Sequence, residues 1–352
     1  MDVLLLLAII AATRGVHFAK EGKFFKDYAS KEHSQSIKGI CVILVILCHF
    51  CTYVKSGDSS VWQMVHSSLG QLVVAMFLFY SGYGIYLAAH AKGLDYIKRI
   101  PTRALTVLAR FDFAVILFLI VRLLTHRPVG VRQFLLSLLG WDGIGNSNWY
   151  IFAIIILYLC SYLAMRFLKN KYAQGVAITI LSTIFVVVMA QFKAAYWFNT
   201  TWCYTIGFWW GILQEKIDKN VMRGSLSYIM ALSLSGLAFF LAWRSRGESY
   251  WYYLASGVFF CVLVNFVLMK VKFGNNMLRF FGNHVFSIYI LQRLAFMILG
   301  ESHWVKSHIY VYFILSLLLT ILLALFFEKV VSIIESRFAK LKNSFRLRKI
   351  AK

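Results

Sequence analysis

Residues 37–50 read IKGICVILVILCHF, an apolar run with a lysine near its start and a histidine near its end. Thirteen of the fourteen residues suit the wall of a membrane helix or its rim; His49 does not. A bilayer core about 30 Å thick takes about 20 residues of helix to cross. Lys38 falls at one mouth of such a span. His49 comes eleven residues later, about 16 Å further along the axis at 1.5 Å per residue, and so roughly halfway across. An ionisable side chain at that depth is costly and marks a functional site by default. The bland alternative is a neutral imidazole hydrogen-bonded to a neighbouring helix.

The rest of the chain agrees with the membrane reading. Of its 352 residues 60% are hydrophobic and 14% charged, whereas a soluble domain carries about 45–50% apolar and about 25% charged residues. Apolar runs stand near 2–13, 37–54, 67–90, 104–125, 148–168, 174–192, 196–213, 225–243, 250–269, 278–299 and 309–335. They predict an all-α, polytopic bundle of about 10–11 transmembrane helices. The stretch near 130–141 reads as an interfacial helix. Residues 1–36 make a short first helix and a basic loop, 37–335 the transmembrane domain, and 336–352 a basic tail. A cleaved signal peptide over 2–13 fits less well, because the segment has no basic start.

The net charge is +23, from 37 Lys and Arg against 14 Asp and Glu. In a soluble protein this suggests nucleic acid. Here Lys and Arg concentrate in alternate loops (14–36, 91–103, 214–224) and the tail, while the loops at 55–66, 126–147, 193–195, 244–249 and 300–308 hold one or two each. Such an excess marks the cytoplasmic side. It predicts an N-terminus outside, a C-terminus inside, and no nucleic-acid partner. The six cysteines show neither C-x-x-C nor zinc spacing and read as small apolar residues.

Other polar groups fall at comparable depth. FLFYSGYGIY (77–86) brings two glycines suited to close helix approach, together with Tyr80, Ser81 and Tyr83. Arg99 and Arg103 lie four apart and share a helix face. Arg110 lies further inward, to pair with Asp112 or to face a cavity. Guanidinium groups converging at a mouth suit a phosphate-bearing ligand, although snorkelling alone accounts for Arg99 and Arg103. Asn148, Trp149 and Tyr150 open a span from outside, where aromatic residues also serve as interfacial belts. Gln292 and Arg293 are polar residues within a span. His66 and His284 lie closer to water than His49 and rank below it.

YASKEHSQSIKGICVILVILCHF, FLFYSGYGI, NWYIFAIIILYL, GFWWGILQEK and FFGNHVFSIYILQ occur in this order, and together they resemble the acyltransferase-3 family of membrane O-acyltransferases. The resemblance runs from about residue 28 to about residue 330. It implies a ten-helix core, here with an extra N-terminal helix. It implies transfer of an acyl group, usually acetyl from acetyl-CoA, to a sugar hydroxyl of a surface glycan or its lipid-linked precursor in the cell membrane. The family's histidine maps onto His49 and its basic partner onto Lys38, where arginine is more usual. The family's arginine pair is spaced by two residues; Arg99 and Arg103 are spaced by three, so their match is looser. Many members carry histidine at the position of Gln292.

The implied scheme keeps the donor's phosphates at the cytoplasmic mouth, near Arg99, Arg103 and Lys38, because charge enters hydrocarbon at high cost. The acceptor approaches from outside, near His66, Trp149 and Tyr150. His49 serves as general base, since imidazole's ordinary pKa of about 6.5 suits that task. An acyl-histidine is a second route. Tyr80, Ser81 or Asn148 orient the imidazole or support an oxyanion. No metal or bound cofactor is called for. The competing class is a transporter or flippase, which also places polar groups at the midplane; a membrane scaffold is a third.

Overall fold

As a computed structural model, the protein is described over residues 1–54 and 61–350, the side chains of Met64, Ser68 and 338–350 excepted. Helix α1 (Asp2–Thr13) leads into strand β1 (Val16–Phe18). Then come α2 (Lys31–Phe50), α3 (Val61–Leu69), α4 (Leu72–Lys98), α5 (Ile100–Leu124) and α6 (Val131–Leu138). Next are α7 (Trp149–Phe167), α8 (Lys171–Phe192), α9 (Thr201–Val221), α10 (Ser225–Arg244) and α11 (Tyr250–Leu268). The chain closes with strand β2 (Val271–Phe273), then α12 (Asn276–Asn283), α13 (Val285–Leu299), α14 (His303–Ser307) and α15 (Ile309–Ile350).

Among the described residues, eight helices are long and apolar enough to cross a membrane: α2, α4, α5, α7, α8, α10, α11 and α15 up to Arg337. The other three expected spans differ. Helix α1 has 12 residues. Helix α9 keeps 21 residues but ends in the polar stretch QEKIDKN. The expected run at 278–299 is two helices, α12 and α13, separated at His284. The bundle is also not purely helical, since β1 pairs antiparallel with β2, Val16 opposite Phe273. The basic tail expected at 336–352 falls almost wholly on side chains outside the described residues, although the backbone of α15 stays helical to Ile350.

Local chemistry sets the helix ends. The Ser30 hydroxyl accepts from the His33 N–H to cap α2, and Asn170 caps α8 through the N–H groups of Tyr172 and Ala173. Each satisfies donors that a helix start leaves open. Gly93, with φ of 64°, breaks α4 after its apolar part. Lipid offers no hydrophobic drive for helix association, so close packing matters more. At the crossing of α4 and α9, a Cβ on Gly82 would run into the Tyr204 carbonyl, and one on Gly207 into that of Phe79. Gly84, the second glycine of the same motif, has open space around it. Helix α4 is the centre of the bundle, with 78% of its apolar window buried against 17% for α10. The exposed Leu226, Leu234 and Leu237 of α10 suit contact with acyl chains.

Successive long helices alternate in direction and define two faces. On one, the Trp62 N–H donates to Asp2 (2.8 Å), Arg127 pairs with Glu301 (2.7 Å), and the Gln71 N–H donates to the Tyr253 hydroxyl (2.9 Å). On the other, Asn275 donates to the carbonyls of Ala11 and Arg14, and Tyr28 donates to Asp218 (2.9 Å). Helix α1 therefore runs from the first face to the second, and α2 returns.

Candidate active site

His49 is the penultimate residue of α2 and opens into a cavity of about 470 Å³ on the first face. His66 from α3, Gln71 and Val74 at the start of α4, Asn146–Trp149 before α7, Tyr253 from α11, and Tyr289 and Arg293 from α13 complete its wall. The His49 and Tyr289 rings lie 6.2 Å apart. His49 Nδ1 is buried and has no hydrogen-bond partner among the described residues. Asn146 Nδ2, Asn199 Oδ1 and Arg293 Nε, from the same wall, are in the same condition. Buried polar groups of folded proteins are ordinarily paired, so this cluster marks a surface shaped for a ligand's polar atoms. The Asn146 Oδ1 accepts from the Ile144 N–H (2.9 Å), and Asn148 Nδ2 donates to the carbonyls of Gly140 and Asp142. These bonds hold the loop before α7 against the cavity.

Lys38 lines a different, smaller cavity of about 100 Å³ with Phe77, Ser81, Tyr150, Val285, Phe286 and Tyr289. Its ammonium stands 5.3 Å from the centre of the Tyr80 ring, a cation–π arrangement. Tyr289 borders both cavities, and the Tyr150 ring meets it edge to face at 5.4 Å. The two aromatic rings thus stand between the lysine and the histidine.

The expected residues divide accordingly. His66, Asn148 and Trp149 join His49. Tyr150 lines only the smaller cavity. Tyr80 and Ser81 do not border His49's cavity: Tyr80 lies under Lys38, and the Ser81 hydroxyl donates to the Phe77 carbonyl (2.8 Å). The reason is geometric. Helix α4 starts on His49's face, and eight residues carry it about 12 Å inward, to the level of Lys38. Tyr83 is further down still, donating to Gln214 of α9 (2.7 Å) rather than facing an acceptor. Gln292 is fully buried and donates to the Tyr289 carbonyl, on the side of α13 away from the cavity lining.

Arg99 and Arg103 stand at the α4–α5 junction on the opposite face, joined by one turn through the Arg103 N–H to the Arg99 carbonyl (3.0 Å). Both are exposed, and Arg103 lies 5.1 Å from the centre of the Tyr96 ring. Arg110 neither pairs with Asp112 nor lines either cavity: it forms two 2.8 Å bonds with Glu335 of α15. That fork-to-fork geometry pairs the two charges directly. His284 is likewise engaged, with Nδ1 2.7 Å from Glu328.

Of this site's residues, Tyr289 was not singled out from the sequence, and Arg293 was noted only as a polar residue within a span. They lie four apart on α13, with Val285 another four before, and all three line a cavity. The helical period was legible, but nothing in the run said which face turned inward. A further cavity of about 390 Å³ adjoins the first, sharing Asn146, Asn148, Tyr196 and Arg293, and adds Trp141, Asp142, Lys193 and Trp197. Burial pushes the Lys193 ammonium's pKa below its ordinary value, against the opposing charge of Asp142. Among the described residues, no group of three His, Cys, Asp or Glu side chains is placed to hold a metal ion.

A neutral imidazole beside a polar cavity can take a proton from a hydroxyl or attack an acyl group. Comparison with known proteins agrees with group transfer. Neither a curated protein nor a solved structure matches the chain. Residues 35–329, from the second turn of α2 into α15, match the acyltransferase domain. With most of its length covered by that match, the chain belongs to the acyltransferase-3 family of membrane acyltransferases.

Proposed function

We propose that the protein is an O-acetyltransferase of the cytoplasmic membrane, moving acetyl from acetyl-CoA to a sugar hydroxyl of a cell-surface polysaccharide or its lipid-linked precursor. The observation that carries this reading is the pair of cavities separated by Tyr289, one holding His49 and the other Lys38. The Lys- and Arg-rich loops support assigning the face of Arg99 and Arg103 to the cytoplasm, with Met1 outside. The donor's phosphates then bind Arg99 and Arg103. Its flexible thioester arm extends past Lys38 toward His49, which requires the Tyr150 and Tyr289 rings to part. The acceptor sugar enters His49's cavity from outside.

In the reaction, His49 removes the proton from the acceptor hydroxyl as its oxygen bonds to the thioester carbonyl carbon. The tetrahedral intermediate collapses with cleavage of the C–S bond. The leaving thiolate takes the proton back from the imidazolium, so the histidine ends neutral. Among the polar side chains of the wall, Asn146, whose Nδ2 has no partner among the described residues, is suited to support the oxyanion.

The test is acetyl transfer from labelled acetyl-CoA to surface glycan in membranes carrying the protein or His49→Ala, with insertion checked for both. Loss of transfer in the variant is expected; retention removes His49 from its role. Consumption of acetyl-CoA by the purified protein separates this reading from a transporter or flippase, which would leave the thioester intact.

A further inference from the structure

Arg110, Arg122 and Arg293 all lie within apolar runs, and the structure treats the three differently. Arg110 is neutralised by Glu335. Arg122 donates to the backbone carbonyls of Arg127 and Ile144. Arg293 has neither an ion pair nor a hydrogen bond among the described residues, and its Nε is buried. An unpaired charge at such depth is retained only where something else compensates it. Arg293 borders both the cavity of His49 and its outer continuation of about 390 Å³.

A second cation faces the same space. Lys193, just past the end of α8, stands 4.1 Å from the centre of the Trp141 ring and 4.3 Å from that of Trp197, and donates to the Trp141 carbonyl at 2.7 Å. One hydrogen bond and two ring faces hold the ammonium at the rim and leave its other N–H groups available. The carboxylate lining this outer cavity is Asp142, which accepts from the Gly143 N–H (2.7 Å) and forms no ion pair with either cation. Two cations against one carboxylate leave the space net positive. Trp141, Tyr196 and Trp197 bring aromatic surface to the same wall, suited to the apolar face of a sugar ring.

We propose that this outer cavity binds an anionic group on the acyl acceptor, held by Arg293 and Lys193, so that the acceptor is an acidic sugar unit rather than a neutral one. The inference rests on the proposed acceptor role of His49's cavity and narrows it. A carboxylate, as in a uronic acid, and a phosphate ester share the chemistry that the two cations recognise. The anion anchors the sugar at the mouth and extends its ring, with the hydroxyl to be acylated, inward toward His49.

The experiment measures binding by thermal shift of the full-length protein in nanodiscs, with no acyl donor present. The probes are methyl glucuronide, glucose 6-phosphate and the uncharged methyl glucoside, at matched ionic strength. Without donor no tetrahedral oxyanion forms, so a dependence on ligand charge reports the acceptor alone. At least one anionic probe is expected to stabilise the protein, with the neutral glycoside about tenfold weaker or more. Arg293→Gln and Lys193→Met should each reduce that preference, and Arg293→Lys should restore part of it. A shift for whichever anionic probe binds tells carboxylate from phosphate. Equal binding of neutral and anionic sugars, no binding of any probe, or a preference untouched in Arg293→Gln and Lys193→Met overturns the proposal. Should the preference hold while the wild-type protein never consumes acetyl-CoA, the anion site stands and the acetyltransferase reading falls.

Discussion

Two polar regions of the bundle, the network around Tyr28 and Glu328 and the wall of His49's cavity, handle their side chains in opposite ways. Around Tyr28 and Glu328, on the face of Arg99, polar groups are tied to one another. Lys272 bonds Asp27 (3.0 Å), Trp210 donates to the Tyr28 hydroxyl (3.0 Å), and Tyr83 donates to Gln214 (2.7 Å). Glu328 accepts from Ser287 and meets His284, each at 2.7 Å. On the face of His49, polar atoms of His49, Asn146, Asn199 and Arg293 line one cavity without partners. A satisfied network rigidifies a fold; an unsatisfied one around a cavity is shaped for something that comes and goes. The difference separates polar residues that build the bundle from those left open to a ligand, and Arg99 and Arg103, exposed on their own face, belong with the latter.

Substitutions on the two faces should therefore differ in kind. The largest effect is expected at His49: His49→Ala should lower acetyl transfer by about 10²–10⁴-fold, the range typical of a lost general acid–base group. Its folding and insertion should stay normal, and transfer rates in membranes at matched protein level are the measurement. Next come Arg99→Ala and Arg103→Ala, each expected to raise the KM for acetyl-CoA by about tenfold, the size of a lost charge-assisted bond. A larger change in the acceptor's KM than in the donor's would reverse the assignment of the two mouths.

Smaller effects are expected from the satisfied network. Tyr83→Phe removes one donor to Gln214 and should cost about 1 kcal/mol of stability, read by thermal unfolding in detergent, with catalysis preserved. A collapse of transfer without loss of stability would return Tyr83 to the acceptor side. The smallest effect is expected at Lys272→Ala, where the Asp27 partner is half exposed. Burial opposes the Asp27 charge, but the Lys272 hydrogen bond and the nearby His33 and Lys272 charges hold its carboxyl below the usual value. A lowered carboxylate contributes stability above its unfolded pKa and loses it as the pH falls through the folded one. Wild type and Lys272→Ala should therefore differ slightly at neutral pH and converge in acid; a gap that widens in acid would contradict the pairing.

Much of the fold was legible because membrane helices announce themselves by length and composition. The runs at 37–54, 104–125, 148–168 and 174–192 correspond to α2, α5, α7 and α8 within a few residues. The break at His284 was less so: Gly282 and Asn283 favour a helix end, but the apolar runs on either side together have the length of one span. The pairing of β1 with β2 joins residues more than 250 positions apart, beyond the reach of any local signal. In the candidate site, the spacing of His49 from Lys38 along one helix was legible, but its place as the penultimate residue of α2, at the end on the first face, was not. Tyr80, Ser81 and Tyr83 lie away from His49's cavity because α4 carries them inward from the face on which it starts, a consequence of how far along α4 each one stands.

Composition and spacing alone were enough to make this a many-helix membrane chain, to put an imidazole eleven residues from a lysine on one helix, and to put two arginines on a shared turn. Those properties depend on the hydrophobic thickness of a bilayer and on the rise of a helix, both of which are constants. Which helix faces meet was decided by packing between distant segments: the pairing of Arg110 with Glu335, the freedom of Arg293, and the wedge of Tyr289 between two cavities. Such contacts depend on rotation and direction of each helix relative to its neighbours, and no periodicity within a single run encodes them.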